Sequence, residues 1–314
     1  MSDASDSVVI KAPARLHLGL VKISRKPSYI AVGVSLEEPY CELEVKRSSA
    51  FRVYGQDIAR IKTAIRDVCA YTGSPLEFSA RLAAPLPAHS GLGSGTRHAL
   101  CAVKAVCLLE NKKIPAVKLA EITGRGTRSM MGTALFAKGG LAVDIAGEVS
   151  RFPAPRSWRV VLIQPDISKS GHAFTHGPNE TGMMRKAPAC SASEARLLID
   201  SVTSEMIPAI KENDFKTFEK SLQRLQASAI KLFGSFQDGS AGSKSGREIL
   251  RYLRRIGVRA VGQTSWGPTL FAILPSLSKA ESLAERLTGL RCVKSATVTR
   301  ISNRGFRARR VSNL

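Results

Sequence analysis

The chain of 314 residues has few aromatic residues, few acidic residues and no long apolar run. Aromatic residues make up 6% of it, with two Trp, so a platform on which nucleic-acid bases stack is poorly supplied. No apolar stretch approaches the roughly 20 residues that cross a bilayer, and the first residues lack the layout of a signal peptide. The six cysteines form no Cys-x-x-Cys pair, which predicts reduced, mostly buried thiols. These absences favour a soluble, cytoplasmic protein without a membrane partner.

Positive charge is what the chain has in excess. Lys and Arg number 47 against 25 Asp and Glu, so the formal net charge is +22. Such a balance favours an anionic partner: nucleic acid, anionic lipid, or a small substrate that carries phosphates and carboxylates. A diffuse, solvated basic surface is the alternative interpretation.

Helical and strand patterns recur in both halves of the sequence, which predicts an α+β fold with two domains. The proline-containing stretch from Phe152 to Arg156 is the candidate boundary, giving domains of residues 1–155 and 156–314. In the first domain a short strand at Phe78 to Leu82 is followed by a strongly apolar helix at about Thr96 to Glu110.

The glycine-rich segment Pro87 to Thr96, directly before that helix, is the strongest functional signal. Glycines let several backbone N–H groups converge on one point, and the helix adds its unpaired amides and the positive end of its dipole. We therefore expect phosphate or pyrophosphate to bind at Gly91, Gly93, Ser94, Gly95, Thr96 and Arg97. The segment is neither a Walker A loop, which needs Lys after the last glycine, nor a Rossmann GxGxxG fingerprint. An ordinary strand-to-helix turn, packed by its glycines, is the alternative.

Further candidates lie at the ends of other predicted elements. Arg125 and Arg128 stand three residues apart near glycines, where guanidinium groups could hold phosphate or carboxylate. Arg15 and His17 share one face of the first predicted strand, since strand side chains alternate. Asp144 ends an apolar strand that follows two glycines. The alternative for the two arginines of the second loop is solvation at a helix start. Arg15 and His17 could instead face solvent, and Asp144 could instead cap a helix or stabilise a turn.

Five segments, in order along the chain, resemble motifs of the GHMP kinase superfamily. Pro87 to Thr96 is similar to its phosphate-binding motif. The sequence GLGSGT within it is typical of the β-ribofuranosylaminobenzene 5′-phosphate synthase family, whose members are not kinases. The other four segments are residues 12–20, 124–132, 136–144 and 262–269. The chain differs from that family's usual Gln-Leu in having Arg97-His98.

The resemblance implies a two-domain fold of the GHMP kinase type, with an N-terminal half like domain 2 of ribosomal protein S5 and a ferredoxin-like C-terminal half. It also implies a homodimer. The expected reaction condenses phosphoribosyl pyrophosphate with 4-aminobenzoate or 4-hydroxybenzoate, releases carbon dioxide and pyrophosphate, and belongs to the synthesis of methanopterin-type carriers. No ATP and no redox cofactor are expected.

The resemblance also implies roles for individual residues. The glycine-rich loop would hold pyrophosphate, and Asp144 and Arg128 would be catalytic, with Asp144 stabilising the anomeric centre or holding Mg²⁺. Arg15 and His17 would face the aryl or phosphate pocket. The run Ser265, Trp266 and Gly267 would close that pocket, with Trp266 stacking near the aromatic substrate; a core position is the alternative for this Trp.

Two other functions remain open at this point. The first is an ATP-dependent small-molecule kinase of the same superfamily, which the Gly95-Thr96-Arg97 ending of the loop disfavours. The second is a nucleic-acid-binding protein on a degenerate enzyme fold, based on the net charge, a basic helix at Arg247 to Arg259 and the tail from Arg304 to Arg310. No recognised nucleic-acid motif supports this second alternative.

Overall fold

Two β-sheets covered by helices organise the part of the chain that the computed structural model describes, residues 6–24, 28–127, 129–167, 182, 187–233, 243–264 and 267–311. The strands are β1 (Ser7–Ser24), β2 (Ser28–Arg47), β3 (Arg52–Tyr54), β4 (Phe78–Ala84), β5 (Leu141–Ile145), β6 (Glu148–Phe152), β7 (Arg159–Pro165), β8 (Val261–Gln263), β9 (Leu270–Leu274), β10 (Val293–Arg300) and β11 (Arg307–Val311). The helices are α1 (Ile58–Thr72), α2 (Ser94–Leu109), α3 (Ala116–Ile122), α4 (Met131–Lys138), α5 (Ala192–Asp200), α6 (Ile207–Glu212), α7 (Phe215–Phe233), α8 (Lys244–Arg255) and α9 (Leu277–Thr288). A π-helical turn, Ser201–Met206, joins α5 to α6.

The first sheet is built on the long antiparallel pair of β1 and β2. Its order is β11-β1-β2-β4-β3, and β5 with β6 extends it from the first half of β2. Most of β1 is buried because α2 and α7 both pack on it. Helix α2 is apolar on nearly all sides, as expected of a helix enclosed by a sheet and other helices. The glycine-rich segment therefore leads into the most deeply buried helix of this half.

The second sheet has the order β10-β7-β9-β8 and is antiparallel throughout. Helices α8 and α9 supply apolar side chains to its separate core, including Leu253 and Leu283. Trp158, just before β7, packs with Phe215 and Phe218 of α7 in the larger core. The two halves thus meet through α7, which also contacts β1.

The predicted α+β class is confirmed, and the strand predicted at Phe78 to Leu82 and the helix predicted at about Thr96 to Glu110 correspond to β4 and α2. Asp214 caps the start of α7, since the Thr217 amide donates to Asp214 Oδ1 (3.1 Å). All six cysteines are free, five of them buried. The boundary between residues 155 and 156 stays a prediction; it precedes β7, while β11 returns to pair with β1. No helix among the described residues is both long and apolar enough to cross a bilayer.

Candidate functional site

The glycine-rich loop joins β4 to the first turn of α2 in a conformation that depends on two left-handed glycines. Gly91 has φ of 82° and Gly93 has φ of 77°. A Cβ atom on Gly91 would lie 2.3 Å from the carbonyl oxygen of Thr264, so no side chain fits there. The turn places Ser94, Gly95 and Thr96 at the helix start, where backbone amides lack helical partners and the helix dipole is positive. This turn is a favourable position for an anion.

An open cavity of about 560 Å³ lies in front of this turn, and three arginines line it. Arg15 of β1 lies against Gly93, where an added Cβ would be 3.2 Å from its Nε. Arg60 comes from α1. Arg125 comes from the second glycine-containing loop, and its buried Nε has no hydrogen-bond partner among the described residues. Burial, and the neighbouring charge of Arg60, lower the pKa of Arg125. Three guanidinium groups beside a helix N-terminus form a strongly positive site.

The loop after β8 contacts the glycine-rich loop from the second half of the chain. The buried hydroxyl of Thr264 donates to the Gly91 carbonyl (3.0 Å) and accepts from the His17 amide (3.0 Å). Gly267 lies so close that an added Cβ would be 2.3 Å from the carbonyl carbon of Ser90. The His17 ring lines the cavity and its Nδ1 donates to the Gly19 carbonyl (3.1 Å). Residues of both halves thereby set the shape of the cavity wall.

A histidine–aspartate pair lies at one side of the cavity. His98 Nε2 accepts from the Leu86 amide (3.2 Å), which places the ring proton on Nδ1, and Nδ1 donates to Asp57 Oδ2 (2.9 Å). Burial lowers the pKa of His98 more than Asp57 raises it, so the ring is neutral. Burial raises the pKa of Asp57, but the hydrogen bond from His98 and the charge of Arg60 together lower it. The carboxylate is thus ionised between the histidine and Arg60.

The side chain of Arg97 lies beneath the loop and does not line the cavity, which corrects the expectation that it contacts phosphate. It is fully buried, and it donates to the carbonyls of Pro13 and Gly132, both at 2.7 Å. A first-turn side chain that points back along its helix reaches the neighbouring β1, and the burial lowers the pKa of Arg97 to about 9. These two hydrogen bonds connect α2 to β1 and to α4.

Asp144 also differs from the expected arrangement. Its buried carboxylate accepts from the hydroxyl of Ser129 (2.6 Å), the amide of Met130 (2.9 Å) and the amide of Gly147 (2.9 Å). It is not among the residues that line the cavity. These hydrogen bonds therefore support the alternative role for Asp144, in which its side chain stabilises a turn. Asp144 fixes the end of the loop that carries Arg125.

These contacts do not fit a resident Mg²⁺ on Asp144. Its oxygens already accept three protein hydrogen bonds, and the cavity-lining carboxylate of Asp57 is bonded to His98 and Arg60. Within the described ranges no group of three or more His, Cys, Asp and Glu side chains is placed to bind a metal.

The structure brings together most of the predicted residues. Those that line the cavity are Gly91, Gly93, Ser94, Gly95, Thr96, Arg125, Arg15, His17 and Gly267. Arg128, Ser265 and Trp266 lie outside the described residues. Sequence reasoning missed Asp57, Arg60 and Thr264. His98, a polar residue within a strongly apolar helix, is the signal that could have led to Asp57; the sequence around Arg60 has no such signal.

Comparison with known families defines the class to which this fold and site belong. The family described as "GHMP kinases N terminal domain" matches residues 59–140, and "GHMP kinases C terminal" matches residues 206–290. A homoserine kinase from Cytophaga hutchinsonii superposes with a TM-score of 0.70 over 98% of this chain and 99% of its own, at 15% identity. A mevalonate diphosphate decarboxylase from Staphylococcus aureus superposes with a TM-score of 0.67 over 97% and 98%, at 14% identity. These two structures share the fold.

Curated relatives give a narrower assignment. A β-ribofuranosylphenol 5′-phosphate synthase of Archaeoglobus fulgidus is 29% identical over 94% of this chain and 97% of its own length. The protein of the same name from Methanothermobacter thermautotrophicus is 25% identical over 85% and 88%. The chain therefore belongs to the GHMP kinase superfamily and, within it, to the family of these synthases.

Proposed function

We propose that the chain is a decarboxylating ribosyltransferase, which joins phosphoribosyl pyrophosphate to a para-substituted benzoate in the synthesis of a methanopterin-type carrier. The bond between ribose C1 and the diphosphate oxygen breaks, and both electrons leave with the diphosphate. Ring carbon 1 of the benzoate attacks ribose C1. The bond to the carboxylate then breaks, carbon dioxide leaves, and its electron pair restores the aromatic ring. Atoms and charge balance without an added oxidant, reductant or proton.

The observation that carries this proposal is the positive cavity at the first turn of α2. The departing diphosphate gains negative charge, so groups that stabilise this charge lower the barrier. The amides of Ser94, Gly95 and Thr96 are placed for this role, with Arg15 and Arg125 beside them. Because these groups are held before substrate binds, they need little reorganisation during the reaction.

We propose 4-hydroxybenzoate rather than 4-aminobenzoate as the aryl substrate. The curated relatives carry a phenol in their names, and a phenol product requires a hydroxyl group on the ring of the benzoate. The para oxygen can donate electron density to ring carbon 1, the atom that attacks ribose. His17 lines the same cavity and is a candidate contact for the aromatic ring.

Several further residues and conditions belong to the same proposal. Arg128 is proposed to act with Arg125 on the substrate's anionic groups, and Ser265 with Trp266 is proposed to cover the aryl ring. Mg²⁺ is proposed only as a companion of the pyrophosphate-bearing substrate. A homodimer in the cytoplasm is proposed as the working state, without a membrane or nucleic-acid partner.

The direct test is product analysis with purified protein, phosphoribosyl pyrophosphate and each benzoate in turn. We expect carbon dioxide and pyrophosphate to appear in equal amounts, faster with 4-hydroxybenzoate, and neither to appear when one substrate is omitted. ADP formation from ATP and a small alcohol would instead identify a kinase. Salt-sensitive binding to nucleic acid with no turnover would support the nucleic-acid alternative.

A further inference from the structure

Arg60 lies directly against the first turn of α2, although it belongs to a different helix. It is in the first turn of α1, and its guanidinium covers Gly95 so closely that an added Cβ would be 3.0 Å from both Cζ and Nη1. A side chain at position 95 would require this guanidinium to shift by a few tenths of an ångström. The absence of a side chain at Gly95 therefore lets Arg60 lie this close to the edge of the turn.

The Asp57–His98 pair fixes Arg60 in this place. Arg60 Nε donates to Asp57 Oδ2 (2.8 Å), and the same oxygen accepts from His98 Nδ1 (2.9 Å). His98 is itself a residue of α2, and the Leu86 amide holds its other nitrogen. Helix α2 thus supplies the backbone amides at its first turn and also His98, which orients Arg60 towards them through the hydrogen bond to Asp57.

Arg60 lies near other positive groups as well as beside Asp57. A cation beside the positive end of a helix dipole is repelled, and Arg60 also lies near Arg125. Asp57 offsets part of this repulsion, but its carboxylate also accepts from His98. Among the described residues Arg60 uses only Nε for a protein hydrogen bond, so both terminal nitrogens can donate to a ligand.

We propose that Arg60 binds the diphosphate of the substrate at the first turn of α2, and that Asp57 and His98 are the positioning residues that hold it there. The inference rests on the proposed function and assigns a further residue to it. A guanidinium can donate two parallel hydrogen bonds to a phosphate group, and these strengthen as the diphosphate gains charge on leaving.

Calorimetric titration with inorganic pyrophosphate tests this directly. We expect Arg60→Ala to raise the dissociation constant about ten- to a hundred-fold, the effect of losing charged hydrogen bonds. Arg60→Lys keeps the charge but loses the planar fork, so its constant should lie between those of the wild type and Arg60→Ala. Arg251→Ala removes one exposed positive charge from α8, and this control should bind pyrophosphate as the wild type does.

A second pair of variants tests the positioning role. His98→Leu removes the donor to Asp57 and should weaken pyrophosphate binding several-fold, while leaving the affinity for 4-hydroxybenzoate unchanged. His98→Asn keeps a donor in place of Nδ1 and should restore part of the lost affinity. Equal loss of both affinities in His98→Leu would indicate a general structural effect and contradict the positioning role.

The outcomes separate this inference from the proposed reaction. Equal pyrophosphate affinity in the wild type and Arg60→Ala overturns the inference. So does an Arg60→Ala variant that loses affinity only for 4-hydroxybenzoate. Absence of pyrophosphate binding by the wild type overturns it as well. If the wild type does not catalyse ribosyl transfer, but Arg60→Ala still loses pyrophosphate affinity, the proposed reaction is refuted and Arg60 remains a diphosphate ligand. Ribosyl transfer with an unchanged pyrophosphate affinity in Arg60→Ala would refute the inference alone.

Discussion

At the scale of single residues, Gly91 shows how a missing side chain shapes the site. Both its positive φ and the closeness of the Thr264 carbonyl exclude a Cβ atom. We expect Gly91→Ala to lower the free energy of unfolding by about 1–3 kcal/mol more than Gly73→Ala, because overpacking against rigid backbone adds to the cost. Gly73 is the matched control, since it has φ of 69° but open space around it.

Urea unfolding and pyrophosphate titration measure both parts of this effect. Gly91→Ala should also bind pyrophosphate more weakly, as the loop must move to relieve the contact. Gly73→Ala should bind it normally. Equal stability losses in the two variants would show that the contact with Thr264 is unimportant.

Arg97 was predicted to contact phosphate at the start of α2, but its side chain is buried beneath the loop. We expect Arg97→Met to lower the free energy of unfolding, because the carbonyls of Pro13 and Gly132 lose their donor, each at a cost of about 1–3 kcal/mol. The exposed control Arg251→Ala should change it by less than about 0.5 kcal/mol. Chemical unfolding measures both. A stable Arg97→Met protein that no longer binds pyrophosphate would return Arg97 to the phosphate site.

At the scale of elements, Asp144 joins the second glycine-containing loop to β5. Asn at this position offers one acceptor oxygen where three donors converge, so we expect Asp144→Asn to lose about 1–3 kcal/mol of stability together with pyrophosphate affinity. Ser129→Ala removes a single donor and should show a smaller loss of both quantities. Urea unfolding and calorimetry give the two values. Wild-type stability and binding with no turnover would instead show that Asp144 acts on the substrate.

The His98–Asp57 link between α1 and α2 predicts a pH dependence of stability. Burial lowers the pKa of His98 in the folded state, so below about pH 6.5 the unfolded chain takes up a proton that the folded chain does not. The stability due to neutral His98 is therefore present above that pH and is lost as the pH falls. The lowered pKa of Asp57 acts in the same direction at lower pH, below its ordinary value of 3.8.

Urea unfolding at about pH 7.5 and about pH 5.5 checks this sign. We expect the wild type to lose more stability between these pH values than His98→Asn, which has no titrating group at position 98. The same loss in both proteins would assign the pH dependence to other residues.

At the scale of the whole molecule, the site depends on contact between the two halves of the chain. The Thr264 hydroxyl bridges His17 of β1 and Gly91 of the loop, whereas the buried Thr269 hydroxyl, a few residues on, accepts from Gln164 Nε2 (2.8 Å). We expect Thr264→Val and Thr269→Val each to lose about 1–3 kcal/mol of stability. Only Thr264→Val should weaken pyrophosphate binding. Equal pyrophosphate affinity in the two variants would show that the bridge does not support the loop.

The sequence was informative wherever a local pattern determines structure. The glycines and the following apolar helix were sufficient to predict the turn at the start of α2, and Arg125 lies beside it as predicted. Anion binding at this turn stays a prediction. The directions of the Arg97 and Asp144 side chains could not be predicted, because they depend on which neighbouring carbonyls and amides lack partners in the folded chain. Arg60 was missed for a similar reason: its place beside Gly95 follows from the packing of α1 on α2.

The most direct test of the central claim is the structure of the product made from labelled substrates. Phosphoribosyl pyrophosphate labelled with ¹³C at ribose C1 is incubated with 4-hydroxybenzoate labelled at ring carbon 1, and the product is examined by nuclear magnetic resonance. We predict a one-bond coupling between the two labelled carbons and a product that has lost the carboxylate. A product in which these carbons are not bonded, or that retains the carboxylate, would contradict the account.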